Sequence, residues 1–137
     1  MVITELKRAI HEKVEEGAFG AADIPDYLQV FCAVGNACPD VQEEVEGWDC
    51  RLQLVLERSG EYWITVSGGR FETGSGAIAA ADVTLRMDAA LAAEVFAGEK
   101  DAKAAYLSGT LKVAGGLPNA VRFQTIVEIV GEELEYA

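Results

Sequence analysis

Asp82-Val-Thr-Leu-Arg-Met87, Asp88-Ala-Ala-Leu-Ala-Ala-Glu-Val-Phe96 and Ser108-Gly-Thr-Leu-Lys-Val-Ala-Gly-Gly116, followed by an apolar run from Pro118 to Val130, are the stretch on which the fold turns. The first piece alternates: Val83, Leu85 and Met87 fall on one side, Asp82, Thr84 and Arg86 on the other, the period of a half-buried strand. Asp88 is placed to cap the next helix, where Leu91, Val95 and Phe96 recur at helical spacing until Gly98 stops it. Ser108–Gly116 reads as a brief strand between turns. Pro118 suits the first turn of a final helix carrying Val121, Phe123, Ile126, Val127, Ile129 and Val130. Little in this stretch can do chemistry, and much of it can hold something greasy.

Upstream, Ile3, Leu6, Ile10 and Val14 predict an amphipathic helix ended by Gly17. Pro25 opens a second helix with Leu28, Phe31 and Cys32 on one side. From Trp48 the period changes to two. Cys50, Leu52, Leu54 and Leu56 continue one face of that strand, and Ser59-Gly60 and Gly68-Gly69 turn the chain through Glu61–Val66 into Arg70–Thr73. The expected order is α-α-β-β-β-β-α-(short α)-β-α, an α+β domain whose helices cover the buried face of a sheet. At 137 residues, with no repeat and no long linker, residues 1–137 read as one domain with a helical N-terminal region over 1–45.

Charge excludes several functions. Eleven bases stand against 23 acids, a formal net charge of −12. Acidic blocks at Asp40–Asp49 and Glu128–Glu135 repel phosphate backbones and anionic headgroups, which argues against nucleic acid and leaves at most transient, apolar contact with membranes. The start of the chain lacks the apolar run of a signal peptide, and the longest uncharged stretch, residues 27–39, is too short to span a bilayer. Cys32, Cys38 and Cys50 form no CxxC pair, which fits reduced thiols in the cytoplasm.

No catalytic constellation emerges. The single histidine, His11, falls beside charged residues and is expected on the solvated surface. His11 and the three cysteines make no recognisable metal set, and no cofactor motif is present: the Gly68-Gly69 and Gly115-Gly116 pairs lack a phosphate-loop context and read as turns of positive φ. Cys32 and Cys50 read as small core residues, Asp82 as a turn former at a strand entrance, and the carboxylate pairs Glu43-Glu44 and Glu132-Glu133 as solvated faces.

What remains is the last helix, whose apolar stripe is wider than one contact face needs. It seals the core, or part of it lines a cavity. Residues expected at such a cavity are Phe123, Ile126, Val127 and Val130 from that helix, Trp63 and Phe71 from the sheet, Phe96 and Tyr106 from the middle helices, and Phe31 near the N-terminus. Alanines at 79–81, 89–90, 92–93 and 104–105 leave volume, although they also favour helix. A buried 16-carbon chain gains roughly 13 kcal/mol gross at ~0.8 kcal/mol per methylene. Immobilisation removes much of that, so micromolar to nanomolar affinity requires no charged contact.

The order and spacing of Trp63, the Gly turn before Arg70, Asp82-Val-Thr-Leu, Gly98, Asp101–Tyr106, Ser108–Gly115 and Ala120-Val-Arg-Phe-Gln resemble the sterol carrier protein 2 (SCP2) family over residues 48–130. The resemblance implies five mostly antiparallel strands covered on one face by helices, and an apolar tunnel beneath the C-terminal helix. It also implies a non-enzymatic carrier of sterols, fatty acids, acyl-CoAs or isoprenoid-type lipids. An acyl-CoA would need bases for its phosphates, and Lys100, Lys103, Lys112 and Arg122 are the local cluster. Two alternatives belong to other classes: an accessory protein that docks an enzyme of lipid or quinone metabolism through apolar surface, and a homodimer seamed along the last helix.

Overall fold

A computed structural model describes residues 2–136. The chain forms α1 (Ile3–Glu15), a single 3-10 turn (Ala21–Asp23), α2 (Ile24–Ala37), α3 (Pro39–Glu44), β1 (Cys50–Glu57), β2 (Gly60–Ser67) and β3 (Arg70–Ser75). It continues through β4 (Val83–Asp88), α4 (Ala89–Phe96), α5 (Ala102–Ser108), β5 (Lys112–Gly115) and α6 (Leu117–Glu133). The fold is α+β as expected, with the short helix α3 added where the sequence reading saw only an acidic block. Pro39 at its first turn and buried Val41 explain it: one apolar anchor holds an otherwise solvated turn of helix.

The sheet order is β3-β2-β1-β4-β5. Every neighbouring pair is antiparallel except β1 and β4, which run parallel. Register puts Leu52, Leu54 and Leu56 beside Val83, Leu85 and Met87, and Leu52 beside Ile64, so the apolar alternations of three strands merge into one buried face. The helices supply the opposing apolar faces, with α2 packed on β3 and α6 on β4 and β5. Asp88 caps α4 as its position predicts, accepting from the Ala90 N–H at 2.8 Å.

The connection from β3 to β4 crosses the helix-free face as a strap. Gln53, buried beneath it, donates to the Tyr62 and Gly76 carbonyls and accepts from the Ile78 N–H at 2.7 Å. Asp82 ends the strap by accepting from the Arg51 N–H at 2.8 Å, the strand-entrance role read from its position. At the far edge, Asn36 of α2 exchanges hydrogen bonds with the backbone of Phe71, so part of the β3 edge is paired to a helix. Gly35 makes that approach possible, since a Cβ there would lie 2.8 Å from the Phe71 ring.

Two turn expectations are refined. Gly68, Gly69 and Gly115 do adopt positive φ, whereas Gly116 is extended and caps α6. His11 is half-buried rather than solvated: its Nδ1 lies 2.7 Å from the Leu134 carbonyl oxygen, tying α1 to the segment after α6.

A candidate apolar groove between α5, β5 and α6

The apolar residues of α6 occupy two faces. Phe123, Ile126, Val127 and Val130 point into the core and are buried. Leu117 and Val121 lie on the other side, in register with Gln124, Thr125 and Glu128 at helical spacings of four, three, one and three residues. This second stripe forms one wall of a groove of about 440 Å³. The opposite wall is Ala102, Lys103, Tyr106 and Leu107 of α5, and Leu111 and Val113 at β5 form the floor. Tyr106, Leu107, Leu117 and Val121 are 41, 74, 41 and 60% exposed. Among the described residues only one other large apolar side chain, Val2, is comparably exposed, so the exposed apolar surface is concentrated at this groove.

Local sequence explains the geometry. Asp101 caps the first turn of α5 through the Lys103 N–H, and Gly109 ends it in the left-handed conformation. Ala102 and Ala105 face inward and let α5 lie close to its neighbours, leaving Tyr106 and Leu107 outside. At the start of α6, the Gly115 backbone is pressed against Asp82, with no room for a Cβ, and this anchors the strand from which the helix departs.

The expected cavity residues are placed differently from one another. Phe31, Phe71, Phe96, Phe123, Ile126, Val127 and Val130 are all buried core residues. Their rings meet directly: Phe31 lies 5.3 Å from Phe123 and 5.8 Å from Phe71, and Phe96 stacks on Tyr27 at 4.6 Å. Trp63 requires a correction. Its register partners are Gln53 and Gly74, so it belongs to the face opposite the helices, where it lies over Gly74. A strand alternates strictly, and Trp63 is out of phase with Ile64 and Val66. Of the nine apolar candidates Tyr106 lines the groove, and Phe96 and Val127 reach the hollow that adjoins it at Gln124 and Glu128.

The basic cluster is dispersed. Lys103 is at the groove. Lys112 pairs with Arg86 on the other side of β5 from Val113, and so points away from it. Arg122 donates to the Glu44 carbonyl at 2.8 Å and lies 5.4 Å from the Trp48 ring, so it joins α6 to α3 rather than greeting a ligand. The sequence reading missed Leu107, Leu111, Leu117, Gln124 and Glu128. The available signal was the 117-121-124-125-128 spacing, obscured because the core stripe of the same helix is stronger.

Neither cysteine that titrates abnormally is suited to chemistry. Burial, with Glu72 nearby, pushes the Cys32 thiol up to about 12, and burial, with Asp82 nearby, pushes Cys50 up to about 11. Cys38 is buried as well. Cys38, Asp40 and Glu133 bring their ligand atoms within 4.8 Å of one another, two of the three residues being exposed acids. Among the described residues no helix is long and apolar enough to cross a membrane.

A five-stranded sheet in the order β3-β2-β1-β4-β5 with helices packed on one face defines an α+β layer fold. Residues 31–128 match the SCP-2 sterol transfer family, and the chain belongs to that family. Solved structures agree on the fold. A UbiJ-SCP2 ubiquinone synthesis protein is 16% identical with a TM-score of 0.64, over 80% of this chain and 94% of that one. A crystal structure of sterol carrier protein 2 is 20% identical with a TM-score of 0.59, over 81 and 95% of the two chains. The inverting sec-alkylsulfatase Pisa1 from Pseudomonas sp. is 23% identical with a TM-score of 0.56 over 62% of this chain, which spans only 14% of the sulfatase. No curated protein sequence matches the chain.

Proposed function

We propose that this protein binds and carries a hydrophobic ligand, an acyl, sterol or isoprenoid-type lipid, and catalyses no reaction. The observation that carries the proposal is the groove: four large apolar side chains left exposed on two helices around one concavity. Its volume lies within the range of small-molecule sites, roughly 300–1,000 Å³. Walls of Leu, Val, Ala and Tyr recognise by shape and apolarity, so broad specificity is expected. The ligand docks along α6, and movement of that helix against α5 gives its chain access to the aromatic core around Phe31, Phe96 and Phe123. Three unbridged cysteines suit a reducing, cytoplasmic setting.

Native mass spectrometry of the purified protein, followed by solvent extraction and lipid analysis, tests this reading. The expected result is a stoichiometric lipid adduct that is lost in a folded Leu117→Ser/Val121→Ser variant. A clean apo mass with no uptake of added fatty acid, fatty alcohol or sterol overturns it. A second reading rests on the same exposure: the rim, with Leu107 at its outermost point, docks a protein, as an accessory subunit or a second copy would require. Concentration-dependent dimerisation abolished by Leu107→Ser, without lipid uptake, would favour it.

A further inference from the structure

Resting on the carrier reading, we infer that the groove selects lipids with an uncharged head and rejects those carrying phosphates, acyl-CoA included. The inference comes from where the charged side chains stand. Within the groove the charges are one base, Lys103 on α5, and one acid, Glu128 on α6. Towards the C-terminal end of α6 the groove runs on into a second hollow that shares Gln124 and Glu128 with it. That hollow adds Glu99, Asp101 and Lys100. The groove and this adjoining hollow together carry Glu99, Asp101 and Glu128 against Lys100 and Lys103. Counting the neighbouring hollow with Arg86 and Lys112 adds Glu57, Asp88 and Glu94 as well, so acid outnumbers base on either count.

The two remaining bases of the sequence cluster do not line the groove. Lys112 stands beside Arg86 on the other side of β5 from Val113, in a third hollow against α4 and α5 that shares Lys100 and Asp101 with the second and adds Glu57, Asp88 and Glu94. Arg122 is held by the Glu44 carbonyl and Trp48. A diphosphate needs converging cations to replace its hydration, and here it would meet a mouth with more acid than base on a protein of net charge −12. Unpaired like charge works as an element of specificity, raising the cost of the wrong ligand without tightening the right one. An alcohol, ketone or sterol hydroxyl meets no such cost, and Gln124 and Thr125 offer it neutral hydrogen-bonding groups.

The test uses one chain length with two heads. Dodecanol and dodecanoyl-CoA are titrated against Nile red bound to the intact protein, at low and high salt. The expected result is dodecanoyl-CoA about tenfold weaker at low salt, with the gap narrowing as salt screens the repulsion. Glu128→Lys should raise affinity for dodecanoyl-CoA about threefold or more at low salt. Glu72→Lys, the same charge change on β3 at the opposite sheet edge, should not. Dodecanoyl-CoA binding as tightly as dodecanol, or both lysine variants acting alike, overturns the inference while leaving the carrier reading intact. Failure of Nile red and both lipids to bind sinks the carrier reading, and the inference with it.

Discussion

The inner and outer faces of α6 are built from the same kinds of residue and have opposite fates. Phe123, Ile126, Val127 and Val130 are packed among rings and strands, while Leu117 and Val121, on the same helix, stand in water beside Tyr106 and Leu107. Hydrophobicity alone does not tell the two faces apart. What separates them is whether a neighbouring element closes over them: the sheet and α2 close over one, and α5 with its inward-facing alanines stops short of the other. The inner face accounts for stability, the proposed function assigns ligand capture to the outer face, and this division can be broken experimentally.

The largest effect is expected on the inner side. Phe123→Ala should cost about 3–5 kcal/mol in urea unfolding, because the ring touches Phe31 and Phe96 and its removal leaves a cavity. Aspartate there would prevent folding, so charge at Phe123 or Val127 says nothing about ligand binding. Gly35→Ala comes next, at about 1–3 kcal/mol by the same measurement, since its Cβ would press on the Phe71 ring. The outer face should behave differently. Leu117→Ser/Val121→Ser should shift stability by no more than about 0.5 kcal/mol per site while abolishing lipid uptake. A large loss of stability in that variant would erase the distinction between the two faces.

Two smaller effects sharpen the picture of the core. The Tyr27 hydroxyl is fully buried without a hydrogen-bond partner among the described residues, in a ring stacked on Phe96. Tyr27→Phe should therefore leave stability unchanged or raise it by up to about 1 kcal/mol. A clear loss would reveal a partner for that hydroxyl. Asp23 marks the far end of the scale. Burial pushes its carboxyl up, but hydrogen bonds from the Lys13 ammonium and the Gly20 N–H outweigh this and hold it below the usual range. A carboxyl lowered on folding stabilises above its unfolded value, about pH 3.9, and loses that contribution as pH falls through the folded value. Asp23→Asn should flatten the acid limb of the stability profile below about pH 4 and leave its slope at neutral pH unaltered.

Much of the fold was legible because each strand and helix announces itself by its own period. The alternation of Val83-Leu85-Met87 and the cap at Asp88 needed no partner to be recognised. The site was far less legible. Trp63 is large and apolar, yet its face follows from the phase of a strand that Ile64 and Val66 fix. Arg122 and Lys112 looked like neighbours of Lys103 in sequence, but a helix turn and a strand alternation send the three to different surfaces. His11 looked solvated because its partner, the Leu134 carbonyl, is 123 residues away.

From the sequence alone came the α+β class, the acidic surface and the excess of apolar residues on the last helix, because periodicity, charge and composition are local properties; the SCP2 resemblance came from the order and spacing of particular residues. Only the tertiary structure decided which of those apolar residues fill the core and which stay exposed around a groove. It decided too that the bases do not converge there. Both depend on how closely elements distant in the chain approach, and on the side of the sheet to which each alternation turns.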